Sequence, residues 1–428
     1  MSQDKRAIHY DPADSLDEHG RLRVANGEVL SPWQCVAAIV VVAVVSIVVP
    51  WLRASKEPLE IDGDYRVRNR LSEDYWHVRR ASGKAVAEYP AVALGDSVVW
   101  GRFAYRDGTL THFINEQAGR PVIANLGLNG MQPATLRGLV WYYGDAVRDT
   151  HVLVNFNPLW TQDAFRDLSI ETLEDKRTLQ LNHAELTLHT IPEIYMETKR
   201  YELTETAGLS LPTFGFDFVP DIPTYRPEFE RVMSKLMDRN FPFASWTGHL
   251  KLVCYEGKSF QQWMLDNPKK NPFGPVEPGL PERDFAIDGE YPPDSGEAAP
   301  WIYRRGLKDG GFSYEWVPLE TSHQWRAFRD TVETLRARGN TVFVLVGPFN
   351  VHMLDEANRP VYRDRLEAIA AWLDAQGIPH AAPESLPSEQ YADSSHPSKS
   401  GYRELAKRLM ANEAFRAWLD EARSKRSR

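Results

Sequence analysis

The sequence predicts an α/β domain built on a five-stranded parallel sheet, preceded by one membrane-crossing helix. Three observations lead there. Five short apolar runs do not alternate, amphipathic stretches separate them, and one long uncharged stretch lies near the N-terminus. Parallel strands are covered on both faces, so they read as continuous apolar runs. The intervening amphipathic stretches supply the crossovers that parallel pairing demands.

Residues 1–30 are polar and lack periodicity, which reads as a tail. Residues 33–52, WQCVAAIVVVAVVSIVVPWL, follow. No charge interrupts Cys35 to Leu52, and tryptophans stand at both ends, where a membrane interface favours them. A buried, valine-rich core segment is the competing reading. A cleaved leader fits less well, because no small-x-small site clearly follows the run. Residues 53–85 are charged and read as a linker or stem, partly helical. The main domain is then expected over residues 86–424.

Within it the strands are read at Ala91–Leu94, Val122–Asn125, Val152–Asn155, Thr341–Val346 and, more weakly, Ile378–Ala381. Helical patterns run over Thr109–Ala118, Pro133–Val147, His323–Arg338, Pro360–Gln376 and Ser398–Ala411. Pro133 suits a first helical turn, and Gly377 suits a helix end. The connection between the third and fourth strands is far longer than one crossover needs, so residues 160–320 read as an insertion with structure of its own. Helical stretches inside it are expected at Arg226–Arg239 and Lys258–Asp266, with irregular surface along NPKKNPFGPVEPGLPERDF. In a flavodoxin-like strand order of 2-1-3-4-5, helices would cover both faces as a three-layer α/β/α sandwich. Ligands would bind outside the C-terminal ends of the strands.

Composition narrows the function classes. The chain has 428 residues with net charge −9, and no basic stripe suited to nucleic acid. Only two cysteines are present, Cys35 and Cys254, which excludes a disulfide scaffold and any Cys-x-x-Cys zinc site. There is no His-Glu-x-x-His either, so no metal is expected.

Four short segments fall on the expected rim. Gly95-Asp96-Ser97 follows the first strand and opens a helix, where N–H groups favour negative charge. Gly-Asp-Ser alone is common, and a polar turn would explain it equally well. Asp393 and His396, in YADSSHP, precede the last helix; the spacing lets a carboxylate orient an imidazole, and it also suits a capping cluster. Gly130 in ANLGLNG and Asn157 in NFNP follow strands two and three and would supply an N–H and an amide donor, although Asn, Gly and Pro are ordinary turn residues too. Serine needs a base, a group orienting that base, and donors for an oxyanion. Placed on one rim, these segments contain all of them. Trp100 and Arg102, close to Ser97, are candidates for substrate contact. Among the tryptophans of the long connection, Trp160, Trp246, Trp263, Trp301 and Trp316, packing is the plainer role. VGPFN, at 346–350, would line the same rim.

GDSVVWG, NLGLNG, NFNP and DSSHP together resemble, in order, the sequence blocks of the SGNH (GDSL-type) hydrolase superfamily. The resemblance covers roughly residues 90–157 and 340–410. The first and last blocks fit, including Gly101. The third departs from the family's Gly-x-Asn-Asp, since Pro158 stands where the final Asp would be and Asn155 competes with Asn157. The resemblance implies hydrolysis or transfer of ester-linked acyl groups, with Ser97 as nucleophile, His396 as base and Asp393 as its orienter. It implies an oxyanion hole from the Ser97 and Gly130 N–H groups and Asn157, and no cofactor. The substrate would be an ester-bearing carbohydrate or lipid. Anchored relatives of similar layout imply an extracytoplasmic domain. The flanking charges, Arg53, Lys56, Arg66, Arg68 and Arg70 against Arg21 and Arg23, lean the other way. An O-acyltransferase acting on a cell-surface polysaccharide, or an inactive binding or assembly protein on the same scaffold, are the alternatives.

Overall fold

The computed structural model describes residues 31–57, 59–67, 74–167, 242–255, 260–270 and 311–426. The chain divides into two compact units, Met1–Lys56 and Glu57–Arg428.

The first unit contains helix α1 (Pro32–Lys56), 25 residues long. Its start is a reciprocal cap: the Gln34 N–H donates to Ser31 Oγ (3.3 Å), and the Ser31 N–H donates to Gln34 Oε1 (2.7 Å). At 1.5 Å per residue the helix spans about 37 Å, against an apolar membrane thickness of about 30 Å. It is long and apolar enough to cross a membrane. Ile39, Val42 and Ile47 on it are exposed, so its apolar surface is not spent on a protein core. The tail at 1–30 lies outside the described residues.

The second unit is α/β. Strands β1 (Ala91–Leu94), β2 (Ile123–Asn125), β3 (His151–Phe156), β4 (Thr341–Val346) and β5 (His380–Ala381) form one parallel sheet in the order β2-β1-β3-β4-β5. Ala91 pairs with Ile123 and His151, His151 with Thr341, and Val344 with His380. Alternate residues feed two separate cores. Val92, Leu94, Val152, Val154, Val342 and Val344 enter one, with side chains of α2 (Tyr75–Glu88), α5 (Pro133–Tyr143) and the helices at His323–Ala337 and Asn358–Ala375. Ala91, Ala93, Leu153, Phe343 and Leu345 enter the other, with α4 (Leu110–Ala118) and the helices at Lys399–Ala411 and Glu413–Arg426. Both faces are therefore dry, which is why the strand sequences do not alternate.

Several boundaries differ from expectation for local reasons. β3 begins one residue earlier and ends one later, so Asn155 lies inside the strand. β5 is only two residues long. Pro379, just before it, has no N–H to give the ladder, although its carbonyl accepts from the Val344 N–H. α5 stops at Tyr143, before Gly144, rather than reaching Val147. The segment read as a stem contributes structure to the second unit. Ile61, Tyr65 and Val67 are buried, and α2 begins at Tyr75 with Asp74 as its cap. Its charges disguise it: Arg79, Arg80 and Lys84 interleave with the buried positions Tyr75, Val78, Ala81, Ser82 and Ala85.

Between β3 and β4 the described residues form α6 (Ala164–Asp167), α7 (Pro242–Cys254), α8 (Phe260–Asp266) and α9 (His323–Ala337). α10 (Asn358–Ala375), α11 (Lys399–Ala411) and α12 (Glu413–Arg426) complete the chain order. The expected helix at 226–239 and Trp301 lie outside the described residues. Trp263 is buried, and Trp316 packs on Phe349 and Tyr362 while its Nε1 donates to Asn358 Oδ1 (2.8 Å). Both serve packing.

α7 is fastened to α2 by a buried histidine. His249 Nδ1 lies 2.5 Å from Asp74 Oδ2, its Nε2 lies 3.1 Å from Glu57 Oε1, and its ring rests on Trp76. Burial opposes its charge, but the two carboxylates outweigh burial and push it up to about 9. Neighbouring His77 is held down to about 4 by burial and stays neutral in that range. A histidine raised in the fold stabilises fully below its ordinary value of 6.5 and stops doing so as pH rises through about 9. Unfolding free energy is therefore expected to fall by on the order of 3 kcal/mol between those values. Urea melts across this range check it. In His249→Gln the pH slope should flatten, and amide exchange along 242–255 should quicken.

Candidate active site

In a parallel sheet all strand ends of one sense lie on one edge. Ser97, Gly130, Asn157 and the loop at 391–397 follow β1, β2, β3 and β5, so the topology brings them to the same rim.

After β1 the chain turns at Gly95-Asp96 into the short helix α3 (Ser97–Trp100). Gly95 is required by proximity: an added Cβ would stand 2.5 Å from Val99 Cγ2 and 2.8 Å from Asn155 Cβ. Asp96 caps the helix, accepting from the Val98 N–H at 2.9 Å. Gly101 ends it in the left-handed region (φ 88°), where a side chain would be strained. Ser97 is thus the first helical residue, and its N–H has no carbonyl four residues back in its own helix. The loop after β2 is strapped to this turn. The Leu128 N–H donates to Gly95 O (3.0 Å), and Asn125 Nδ2 donates to Val99 O (2.7 Å).

Ser97 Oγ and His396 Nε2 are 2.6 Å apart, across 299 residues of sequence. His396 Nδ1 lies 2.7 Å from Asp393 Oδ2. Asp393 Oδ1 also accepts the Ser395 and His396 N–H groups, each at 2.9 Å. The loop closes on itself through the Ala392 N–H and His396 O (2.7 Å), and on the chain after β4 through the Asn350 N–H and Ser394 O (2.8 Å). Burial alone would raise Asp393. The charge of His396 and these hydrogen bonds outweigh it and hold the carboxyl at about 2. Ser97, His396 and Asp393 therefore form a connected hydroxyl–imidazole–carboxylate chain with the carboxylate ionised.

Asn155 and Asn157 separate clearly. Asn155 Nδ2 is committed to the carbonyls of Leu345 (3.2 Å) and Gly347 (2.5 Å) within the sheet edge. Asn157 stands beside the turn at Gly95-Asp96-Ser97. Its Oδ1 accepts from the Leu159 N–H (3.0 Å), and its amide faces the Asp96 carboxylate. Gly130 is half-buried, with no heavy atom within 4 Å of where its Cβ would be.

Other expected contacts resolve differently. Trp100 is a core side chain, 1% exposed. Its Nε1 donates to Val67 O (2.6 Å), and the Arg66 guanidinium lies 4.4 Å over its ring, so the indole offers no surface to a substrate. Arg102 stays at the rim, half-buried.

Phe103 and Tyr402 escaped sequence reasoning, and Trp160, read there as packing, makes a polar contact. Phe103 sets its ring edge-on to His396, centroids 5.5 Å apart, from a left-handed backbone (φ 62°) that is rare for anything but glycine. Trp160 donates from Nε1 to Asp96 Oδ2 at 3.0 Å. Tyr402 on α11 is fully buried; burial, then Asp96 and Asp393, push its hydroxyl well up, against the pull of Arg66 and Arg102. Burial likewise pushes Asp96 up, while the Val98 N–H, the charge of His396, Trp160 and Asn157 oppose it. A φ above zero at a phenylalanine leaves no trace in sequence, and neither do contacts made across hundreds of residues. No family model matches the chain, and no curated protein matches it.

Proposed function

We propose that this chain is a membrane-anchored serine esterase or acyl hydrolase of the SGNH type. The 2.6 Å approach of Ser97 Oγ to His396 Nε2, with Asp393 behind the imidazole, carries this reading. Serine at neutral pH becomes a nucleophile only when a positioned base takes its proton. In the first half-reaction Oγ bonds to the ester carbonyl carbon as its proton passes to Nε2. The carbonyl oxygen becomes an oxyanion facing the Ser97 and Gly130 N–H groups and the Asn157 amide. Collapse breaks the ester bond, and Nε2 returns the proton to the departing alcohol. A water then attacks the acyl-serine with His396 again as base, releasing the carboxylic acid and restoring Oγ–H. If a sugar hydroxyl takes the place of water, the same residues perform O-acyl transfer.

In this reading the helices on the two sheet faces are the outer layers of a flavodoxin-like sandwich, residues 160–320 are an insertion shaping substrate choice, and the domain faces away from the cytoplasm. The test is a fluorophosphonate probe applied to the full-length chain in detergent micelles. One adduct is expected, on Ser97, absent in Ser97→Ala and diminished in His396→Ala. If there is no labelling and no turnover of small acetyl esters, the scaffold serves binding or assembly instead.

A further inference from the structure

Around the loop Gly101–Gly108, beside the proposed nucleophile, two cations are matched to acids and a third is held by a carbonyl and an indole. Arg106 Nη2 reaches Asp62 Oδ2 at 2.7 Å. Lys399, packed under Gly108, reaches Asp107 Oδ2 at 2.9 Å. Arg66 donates to Gly101 O (2.8 Å) and lies on Trp100. Arg102 has no carboxylate within ion-pair reach among the described residues. Its Nε, like that of Arg66, is sealed from solvent, so its terminal Nη groups are what it can offer a ligand.

The nearby acids are already engaged. Asp96 holds the Val98 N–H and Trp160, and Asp393 holds His396 and two backbone N–H groups. The Arg102 guanidinium instead lies 5.0 Å over the ring of Phe103, and that ring stands against His396. Phe103 holds this place from a left-handed backbone, a costly conformation for a bulky residue that the surrounding contacts must hold. The stack Arg102–Phe103–His396 lies on the imidazole side of Ser97. That is the side from which the departing alcohol receives its proton.

Resting on the esterase reading, we infer that Arg102 receives an anionic oxyacid group, a carboxylate or a phosphate, on the alcohol half of the ester. The substrate class is then an acylated acidic saccharide or an acylated phosphate-bearing alcohol. A planar guanidinium suits either anion.

The experiment compares kcat/KM of the full-length chain in neutral detergent on three acetyl esters: acetylated methyl glucuronoside, acetylated glycerol phosphate and acetylated methyl glucoside. At least one charged ester should exceed the neutral one by about tenfold, the scale of one charge-assisted contact. The ratio should shrink with added salt, collapse in Arg102→Gln and survive in large part in Arg102→Lys. The charged ester that wins separates carboxylate from phosphate. A ratio near one in the parent chain, or a ratio unchanged by Arg102→Gln, overturns the inference while leaving the esterase reading intact. A purely structural role for Arg102 would lower all three rates together and leave the ratio alone. Titration with unacetylated methyl glucuronoside and glycerol phosphate gives an independent readout. Salt-sensitive binding lost in Arg102→Gln, without turnover of any ester, keeps the anion site and removes the esterase reading. Neither binding nor turnover overturns both.

Discussion

Ser97→Ala is expected to lower kcat/KM on acetyl esters by at least about 10⁴-fold while the chain stays folded, because the oxyanion donors and binding contacts that remain cannot replace a covalent route. The residue is buried, and Oγ contributes a 2.6 Å contact to His396 Nε2. Its loss removes one hydrogen bond and no packed methyl group, so near-ultraviolet dichroism and the thermal midpoint should barely move. Steady-state hydrolysis of p-nitrophenyl acetate checks the rate. Activity retained within tenfold would show that the nucleophile is elsewhere.

The second large effect is expected at Asp393. Asp393→Asn keeps the shape and removes the charge. Oδ1 must remain an acceptor, since the Ser395 and His396 N–H groups both point at it. The new NH₂ group is thereby forced to the Oδ2 position, facing His396 Nδ1 at about the present 2.7 Å. Oδ1 also lies 2.8 Å from Nδ1, but two backbone N–H groups already occupy it, so Nδ1 is expected to accept from the NH₂ group, leaving Nε2 with the proton and unable to take one from Ser97. A fall of about 10⁴-fold in kcat is expected, in line with loss of the orienting charge in such triads. Nitrogen NMR of the imidazole should show the tautomer exchanged, which a general loosening of the loop would not produce. The sign with pH follows from the carboxyl standing at about 2, below its ordinary 3.8. Its support for the fold is complete above 3.8 and is lost only as pH falls through 2. An acid limb of activity above pH 4 therefore reports another group.

Much of this architecture was legible because burial on both sheet faces leaves a plain mark in sequence. β1 and β4 lie where their apolar runs predicted. The meeting of Ser97, His396 and Asp393 could be anticipated because their segments follow strands that end on one rim, and Asp393 and His396 stand three residues apart. Trp100 was misjudged for a physical reason. Its burial comes from Val67 and Arg66, in a charged segment that looked like a stem. α2 was hidden for a related reason, since its polar face carries most of its charge. Asn155 and Asn157 could not be ranked until the extra residue of β3 placed the first inside the sheet edge. Phe103 became visible only through its contact with His396, and Trp160, read as packing, gained its polar role only through Asp96.

The 299-residue separation between Ser97 and His396 also bears on how the protein is made. Chains are synthesised from the N-terminus at a pace slow enough for early segments to explore structure before late ones exist. The serine and its helix emerge first, the long connection follows, and the imidazole arrives only with the last tenth of the chain. On the proposed reading, a nascent chain on the ribosome carries a chemically inert hydroxyl for most of its synthesis. Reactivity is switched on late, when β5 and the loop after it dock against a sheet that is otherwise complete. A chain cut short before residue 393 would retain the serine and much of the sheet, yet hold neither of the residues proposed as its base and the carboxylate behind that base.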